Sequence, residues 1–277
     1  MTGPAVVSAA SQRIQPDQPE SDLRAVLASS SPGDTVWVAA GEYGPFDASL
    51  PLPGGVALVA EEGPSSTVLA GTGVAVITVT ESDTAAVVEG LSVDGLGVAE
   101  GGVSAEAASV ALRGCVIRGC WSGVRVVRGS LRATAVAVHE CANGIYLYET
   151  GGTVADCEIA QCTQGVTLVS ASPRIRRTTF RGNVTGIVVG EFSTPSLGGS
   201  AQRANRFLDN RGAAVRNAAR SRQTGLRSVP PSPLDLTYNF WGTDCPDSLI
   251  FLGPVEFVPW IDEAGRVRSD CDDSSSP

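Results

Sequence analysis

Five side chains in the middle of the chain carry groups that could act together on an acidic ligand. They are Arg118, Arg125, His139, Tyr146 and Tyr148. A guanidinium neutralises an anion through paired hydrogen bonds, and a tyrosine ring offers a flat face with a hydroxyl at its edge. His139, the single histidine of the sequence, is a side chain that exchanges a proton near neutral pH. All five are therefore predicted to bind an anionic ligand, and His139, Arg125 and Tyr146 are the candidates for catalysis.

A 21-residue repeat runs through the same part of the sequence. It aligns the segments CVIRGCWSGVRV, VAVHECANGIYL, CEIAQCTQGVTL and TTFRGNVTGIVV. The alignment defines a cysteine column (Cys120, Cys141, Cys162 and Asn183) and a glycine column (Gly123, Gly144, Gly165 and Gly186). A unit this short cannot bury an apolar face alone, so successive units must stack and share one core. The pattern of leucine-rich repeats is missing, which leaves a parallel β-helix.

The repeat also predicts which side chains point inward. Three apolar columns are expected in the core: Ile117, Val138, Ile159 and Phe180; Val124, Ile145, Val166 and Ile187; and Val126, Leu147, Leu168 and Val189. The side chains of the cysteine column are predicted to fill space in the core. The glycine column is predicted to adopt the positive φ that a sharp corner requires. The five candidate residues then point outward on neighbouring coils, in one patch about 10–15 Å across.

Composition supports strands and limits the function classes. The 277 residues include 32 Gly, 17 Pro and one Met, and all 20 basic residues are Arg. The net charge is −9, but it divides into −12 for residues 1–110, +10 for 111–227 and −7 for 228–277. This balance argues against a nucleic-acid binder while leaving a local anion-binding surface possible. Phosphate-loop, α/β-hydrolase and zinc-protease motifs are absent from the sequence.

Three groups of segments resemble one known superfamily. CANGIYL, CTQGVTL and NVTGIVV resemble the repeat of pectin lyase-like parallel β-helices, and SDLRAVLASSSPGDTVWVAAGEYGPF is similar to their usual first coil. YNFWGTDCPD and VEFVPWID resemble closing segments of exported bacterial members. The resemblance covers residues 21–262. It implies an all-β fold, a single-stranded right-handed parallel β-helix of about ten coils (a rod about 50 Å long) with an N-terminal capping helix.

The predicted organisation has three parts. Residues 1–20 form an N-terminal extension, residues 21–262 form the β-helix, and residues 263–277 form an acidic disordered tail. Ser21 is expected to cap a helix whose Leu23, Val26 and Leu27 cover the first coil. Insertions near 190–205 and 216–234 are expected to project from one edge.

Two features outside the repeat suggest further chemistry. Cys245 and Cys271 could pair in an oxidising compartment, but the sequence leaves open whether this disulfide forms. Asp244 and Asp247 leave calcium possible, although they lack the regular ligand series of a calcium loop. No other cofactor or metal is expected, and neither a signal peptide nor a membrane-spanning segment is visible in this sequence.

Members of the superfamily include lyases, glycoside hydrolases, esterases and uronate epimerases of acidic glycans. The clustered Asp and GHG pattern of polygalacturonases and the G-x-D-D motif are absent here, and so is any Lys. The leading hypothesis is therefore non-catalytic binding of an extended acidic polysaccharide, outside the cell or at its surface. The alternatives are a lyase or epimerase acting on such a glycan and a structural surface scaffold. The sequence leaves the oligomeric state open.

Overall fold

Three parallel β-sheets wind around one continuous core. The structure, a computed structural model, describes residues 10–16, 20–79, 81–219 and 232–271. Sheet 1 consists of Ser11–Ile14, Thr35–Val38, Ala57–Ala60, Ser82–Glu89, Ala108–Arg113, Ser130–Thr134, Gly151–Ala155 and Arg174–Arg176. Sheet 2 consists of Gly41–Phe46, Thr67–Gly71, the first halves of Ser92–Glu106 and Val116–Val127, and Ala137–His139, Glu158–Ala160, Thr179–Arg181 and Arg206–Leu208. Sheet 3 consists of Leu50–Leu52, Ala75–Val79, the second halves of the same two long strands, and Asn143–Tyr148, Gln164–Val169, Thr185–Val189, Ala213–Asn217 and Phe251–Leu252.

Each central coil contributes one strand to each sheet, and with the less regular coils at both ends about 11 turns form a right-handed solenoid. In the central coils every pairing advances by 21 residues, as in Ile117 opposite Val138 and Val124 opposite Ile145. The three predicted inward columns are buried throughout. The all-β prediction, the parallel β-helix and the register of its central coils are therefore confirmed.

The cysteine column is buried in the core at the corner between sheets 2 and 3. Each thiol donates to the carbonyl two residues earlier, as Cys120 Sγ does to Arg118 O at 3.2 Å. Asn183 continues the column with polar contacts: its Oδ1 accepts from Cys162 N and its Nδ2 donates to Ile159 O, both at 2.9 Å. The burial of these side chains agrees with the predicted packing role.

The predicted reason for the glycine column is wrong. None of its four members has a φ in the left-handed region. A Cβ added at Gly144 would lie 2.5 Å from the carbonyl oxygen of Gly165 and 2.7 Å from Ile159 Cγ2, so glycine is needed there for close approach inside the core. The corner itself is turned by another column, whose φ values lie between 55° and 65°: Gly119, Glu140, Gln161 and Gly182.

The N-terminal end of the solenoid is covered by the helix Glu20–Ser29. Leu23 and Leu27 are buried in the core, and Val26 packs against it. The helix begins one residue before Ser21, so Ser21 lies in its first turn instead of preceding it. Ser11–Ile14, within the predicted extension, pairs with Thr35–Val38 and adds a strand to sheet 1.

Aromatic side chains close the C-terminal end. Their rings follow one another at centroid distances of 4.7 to 6.3 Å: Phe180, Phe207, Trp241, Phe251, Phe257 and Trp260. Cys245 and Cys271, whose pairing the sequence left open, form a disulfide. Within the predicted acidic tail, Val267–Arg268 pairs antiparallel with Trp260–Ile261, and residues 272–277 lie outside the described ranges.

Two coils are lengthened by insertions. Thr179 pairs with Arg206 and Val215 with Phe251, so these coils contain 27 and 36 residues. The first insertion contains the 3-10 helix Ala201–Arg203 and returns to the core at the buried Asn205, as the late resumption of the repeat predicts. In the second, residues 220–231 lie outside the described part. The remaining short elements are the pair Leu234–Asp235 with Val255–Glu256 and the 3-10 helix Ser248–Ile250.

Candidate functional site

The corner between sheets 2 and 3 divides the five predicted site residues into two groups. Arg125, Tyr146 and Tyr148 lie on the outer face of sheet 3, while Arg118 and His139 pair on the outer face of sheet 2. Between them the chain turns at Gly119 and at its equivalent Glu140, where the alternation of inward and outward side chains breaks. The repeat therefore predicted the orientations correctly, but the residues occupy two faces.

On sheet 3 the outward side chains form one column along the rod. The paired positions are Thr78, Ser104, Arg125, Tyr146, Thr167, Val188, Arg216 and Leu252. Arg125 and Tyr146 are half-buried neighbours on adjacent strands, which lie about 4.8 Å apart. Neither Arg125 nor Arg216 forms an ion pair with any residue the structure describes. This column thus carries cations that remain available to an external anion.

Hydrogen-bonding groups flank the same column. Thr167 Oγ1 donates to Asn143 Oδ1 at 3.0 Å and contacts Gln164 Oε1 at 2.5 Å. Tyr148 is half-buried between Val127 and Val169 of the adjacent strands. The middle of sheet 3 therefore presents one guanidinium, two tyrosines and two amides on a regular strand surface.

On sheet 2, by contrast, the predicted cation is already paired. Arg118 donates to Asp94 Oδ2 at 2.8 Å, and only 13% of the Asp94 side chain is exposed. His139 Nδ1 lies 3.8 Å from Glu140 Oε2. Arg118 and His139 therefore belong to a mixed-charge cluster with carboxylates close to both of them.

A groove beside this cluster contains a tryptophan that the sequence argument missed. Trp121 is 67% exposed and lines a pocket of about 510 Å³ together with Val98, Glu100 and Glu140. Four residues of strand Ser92–Glu106, 95–98, stand opposite a single residue of the next coil, and this bulge forms the groove wall. The repeat could have identified this residue, because Trp121 directly follows the cysteine column at a position that points outward.

Ion pairs between successive coils neutralise much of the basic middle segment. They join Arg113 to Glu89, Arg118 to Asp94, Arg128 to Glu106, Arg177 to Asp156 and Arg181 to Glu158. The strongest geometry is that of Arg177, whose two nitrogens each lie 2.6 Å from an oxygen of Asp156 and lower the pKa of that carboxyl. Sequence charge alone therefore overstates the positive surface of this region.

The possible calcium ligands have structural roles. Asp244 Oδ1 accepts from Glu263 N at 2.7 Å, and Asp247 Oδ1 accepts from Leu249 N at 2.9 Å at the start of a 3-10 helix. Among the described residues, no group of three or more His, Cys, Asp or Glu side chains is arranged to hold a metal ion.

Burial raises the pKa of the Cys157 thiol to about 11 and also raises that of Cys115, so these thiols are protonated near neutral pH.

Over the part of the chain that the structure covers, no helix is both long and apolar enough to cross a membrane. A scan of protein-family models gives no match to this chain. The curated proteins likewise contain no match.

Solved structures similar to this chain include a viral protein and a bacterial enzyme. ORF18 of Geobacillus virus E2 has a TM-score of 0.52 and 13% identity, covering 83% of this chain and 54% of that protein. The Family 28 exopolygalacturonase of Yersinia enterocolitica has a TM-score of 0.50 and 12% identity, covering 92% of this chain and 65% of that enzyme. The present chain thus spans between half and two thirds of each. Together with the stacked parallel coils, this likeness shows that the chain has a right-handed parallel β-helix fold.

Proposed function

We propose that this protein binds an extended acidic polysaccharide along the outer face of sheet 3, without catalysing a reaction on it. The observation that carries the proposal is the outward column in which Arg125, without a carboxylate partner among the described residues, lies beside Tyr146. A guanidinium binds a uronate carboxylate through paired hydrogen bonds, and a tyrosine ring packs against the apolar face of a sugar. The regular spacing of the column suits a polymer better than a compact ligand.

The separation of the candidate groups favours binding over catalysis. A lyase or epimerase needs a base next to the proton that it removes, together with a cation that stabilises the resulting charge. The candidate base His139 lies on sheet 2, whereas the unpaired Arg125 lies on sheet 3 across the corner. The structurally similar Yersinia protein is an exopolygalacturonase, which supports a polysaccharide as the class of ligand.

The test is binding to polygalacturonate and alginate, measured by affinity electrophoresis and calorimetry at two salt concentrations. Replacing Arg125 and Tyr146 together by Ala should weaken binding roughly tenfold or more, because a charge-assisted contact and a ring contact are both lost. Binding should also lose part of its salt dependence. The rod should remain folded, since neither side chain occupies an inward column.

A matched control is Trp37→Ala with Arg132→Ala, which removes one aromatic ring and one guanidinium from the outer face of sheet 1. This control should bind like the wild type. If the control weakens binding and the sheet 3 variant does not, the ligand lies on sheet 1 and the proposed site is refuted. If neither glycan binds, the scaffold alternative is favoured instead.

The enzyme alternative has one observation in its favour: His139, Glu140 and Glu100 lie at or beside the groove that exposes Trp121. A lyase would release unsaturated uronates, which absorb ultraviolet light, and an epimerase would change the NMR spectrum of the polymer. Either activity, if abolished in His139→Ala and retained in Arg125→Ala, would place catalysis at the corner.

The disulfide between Cys245 and Cys271 supports an extracellular or cell-surface location, because such bonds persist in oxidising compartments.

A further inference from the structure

Three arginines converge on the outer face of sheet 1, away from the proposed polysaccharide face. Arg174 and Arg176 belong to the last regular strand of the sheet, and the buried Ile175 between them shows that both point outward. Arg203 is contributed by the 3-10 helix Ala201–Arg203 of the first insertion. Together with Ser196 and Gly198 they line a pocket of about 260 Å³.

Backbone hydrogen bonds hold the walls of this pocket in place. Ile175 N donates to Ser196 O at 3.0 Å, which fixes the insertion against the edge of sheet 1. Arg177 N donates to Arg203 O at 3.2 Å and fixes the helical turn beside the same strand. The backbone positions of the three arginines are therefore held relative to one another by hydrogen bonds between sheet 1 and the insertion.

None of these three arginines forms an ion pair with a carboxylate among the described residues, unlike Arg113, Arg118, Arg128, Arg177 and Arg181 of the same basic segment. Two carboxylates lie nearby, and each has closer hydrogen-bond partners, although Arg176 also acts on Asp156 electrostatically. Asp156 binds Arg177 through both oxygens, and Asp235 Oδ1 accepts from Thr237 N at 3.0 Å and from Thr237 Oγ1 at 2.7 Å. Arg203 Nε donates to Ser200 Oγ at 3.2 Å, which leaves its terminal nitrogens available.

One atom of the cluster is both buried and without a partner. Arg176 Nε is shielded from solvent and forms no hydrogen bond within the described part of the chain. An unsatisfied buried donor is unfavourable, and it is more so on a charged group. Because solvent does not reach this Nε, an anion in the pocket would bind the terminal nitrogens of Arg176 and would face two further guanidinium groups.

We infer that the pocket binds a tetrahedral oxyanion, either free sulfate or phosphate or the monoester of a small molecule. Three guanidinium groups supply more positive charge than a single carboxylate neutralises, and their forked donors match the several oxygens of a tetrahedral anion. The volume is below that of sites for whole drug-sized ligands, so it fits one anionic group. The site lies on a different sheet from the proposed polysaccharide face and does not depend on it.

The experiment is calorimetric titration of the full chain with sodium sulfate and sodium phosphate, at ionic strength held constant with chloride. Acetate serves as the carboxylate control. Glucose 6-phosphate and glucosamine 6-sulfate distinguish an ester from the free anion. Saturable binding of a tetrahedral anion is expected, with affinity roughly tenfold or more lower in Arg176→Ala. Arg176→Lys should recover only part of it, because lysine keeps the charge but lacks the forked pair of terminal donors.

The matched control is Arg132→Ala, which removes an outward arginine from sheet 1 two strands away from Arg174. It should bind the anion like the wild type. The inference is overturned if Arg176→Ala binds as tightly as the wild type, if Arg132→Ala weakens binding equally, or if acetate competes as well as sulfate. Arg203→Ala, which changes an exposed side chain of the insertion, provides a second test in case Arg176→Ala does not fold.

Discussion

Replacing Gly144 by alanine tests why glycine recurs on the inner side of the corner. The new Cβ would lie 2.5 Å from the carbonyl oxygen of Gly165, where ordinary contacts are 3.4 to 4 Å, so the next coil must move away. Overpacking of this kind costs about 1–3 kcal/mol, and the lower entropy of the unfolded chain returns about 0.4–1 kcal/mol. The net loss of unfolding free energy should therefore lie between about 0 and 2.6 kcal/mol, with a central value of about 1.3 kcal/mol. Urea unfolding followed by circular dichroism measures it.

Gly151→Ala is the matched control, because an added Cβ there meets no atom within 4 Å and the backbone is not left-handed. It should leave stability unchanged or slightly higher. Gly144→Asn separates the two possible reasons for the glycine: a left-handed corner accepts Asn better than Ala, whereas a crowded interior rejects the larger side chain more strongly. The reasoning fails if Gly144→Ala is as stable as Gly151→Ala, or if Gly144→Asn is the milder of the two Gly144 variants.

Three further predictions concern the buried ladder, the ion pairs and the C-terminal closure. Asn183→Ala should lower the unfolding free energy by roughly 1–3 kcal/mol for each buried group that it leaves unpaired. Val184→Ala, at the exposed neighbouring position, should change the unfolding free energy little. Chemical denaturation of both variants measures the difference. Because its partner Arg177 lowers the pKa of Asp156 in the folded state, the pair should contribute stability above about pH 4 and lose it as the pH falls through the folded pKa. The stability gap between wild type and Asp156→Asn should accordingly close in acid, and a constant gap from pH 7 to pH 2 would contradict this. Reduction of the disulfide, which spans 26 residues, should destabilise the C-terminal closure by about 3–4 kcal/mol. The Tm of the wild type should therefore fall when a reductant is added, whereas the Tm of the double variant Cys245→Ala/Cys271→Ala should not change with reductant.

The central coils could be predicted because their interior is strictly periodic. Ile117, Val138, Ile159 and Phe180 must all fill the same place in successive coils, so one register accounts for all of them. The corner was harder to predict, since Glu140 and Gln161 adopt left-handed backbone that their residue types do not announce. Because these left-handed positions could not be recognised from the residue types, the positive φ of the corner was wrongly assigned to the glycine column.

The candidate site depended on features that break the period. Stepping back 21 residues from Arg118 reaches Gly97, whereas its actual partner Asp94 lies 24 residues away because the bulge adds residues to that coil. The ion pair that neutralises Arg118 could therefore not be predicted from the 21-residue register. Arg203 lies in an insertion, where no register relates it to Arg174 and Arg176. Irregular segments thus supply the contacts that decide which arginines remain available.

The distribution of the four tryptophans makes the two halves of the rod distinguishable by intrinsic fluorescence. Trp241 and Trp260 are 5% and 3% exposed in the C-terminal closure, whereas Trp37 and Trp121 are 38% and 67% exposed in the coils before it. Buried indoles emit at shorter wavelength than solvated ones, so the blue part of the spectrum originates from one end of the molecule. A red shift that precedes the loss of β-sheet circular dichroism would identify the C-terminal coils as the first to open, without any added label.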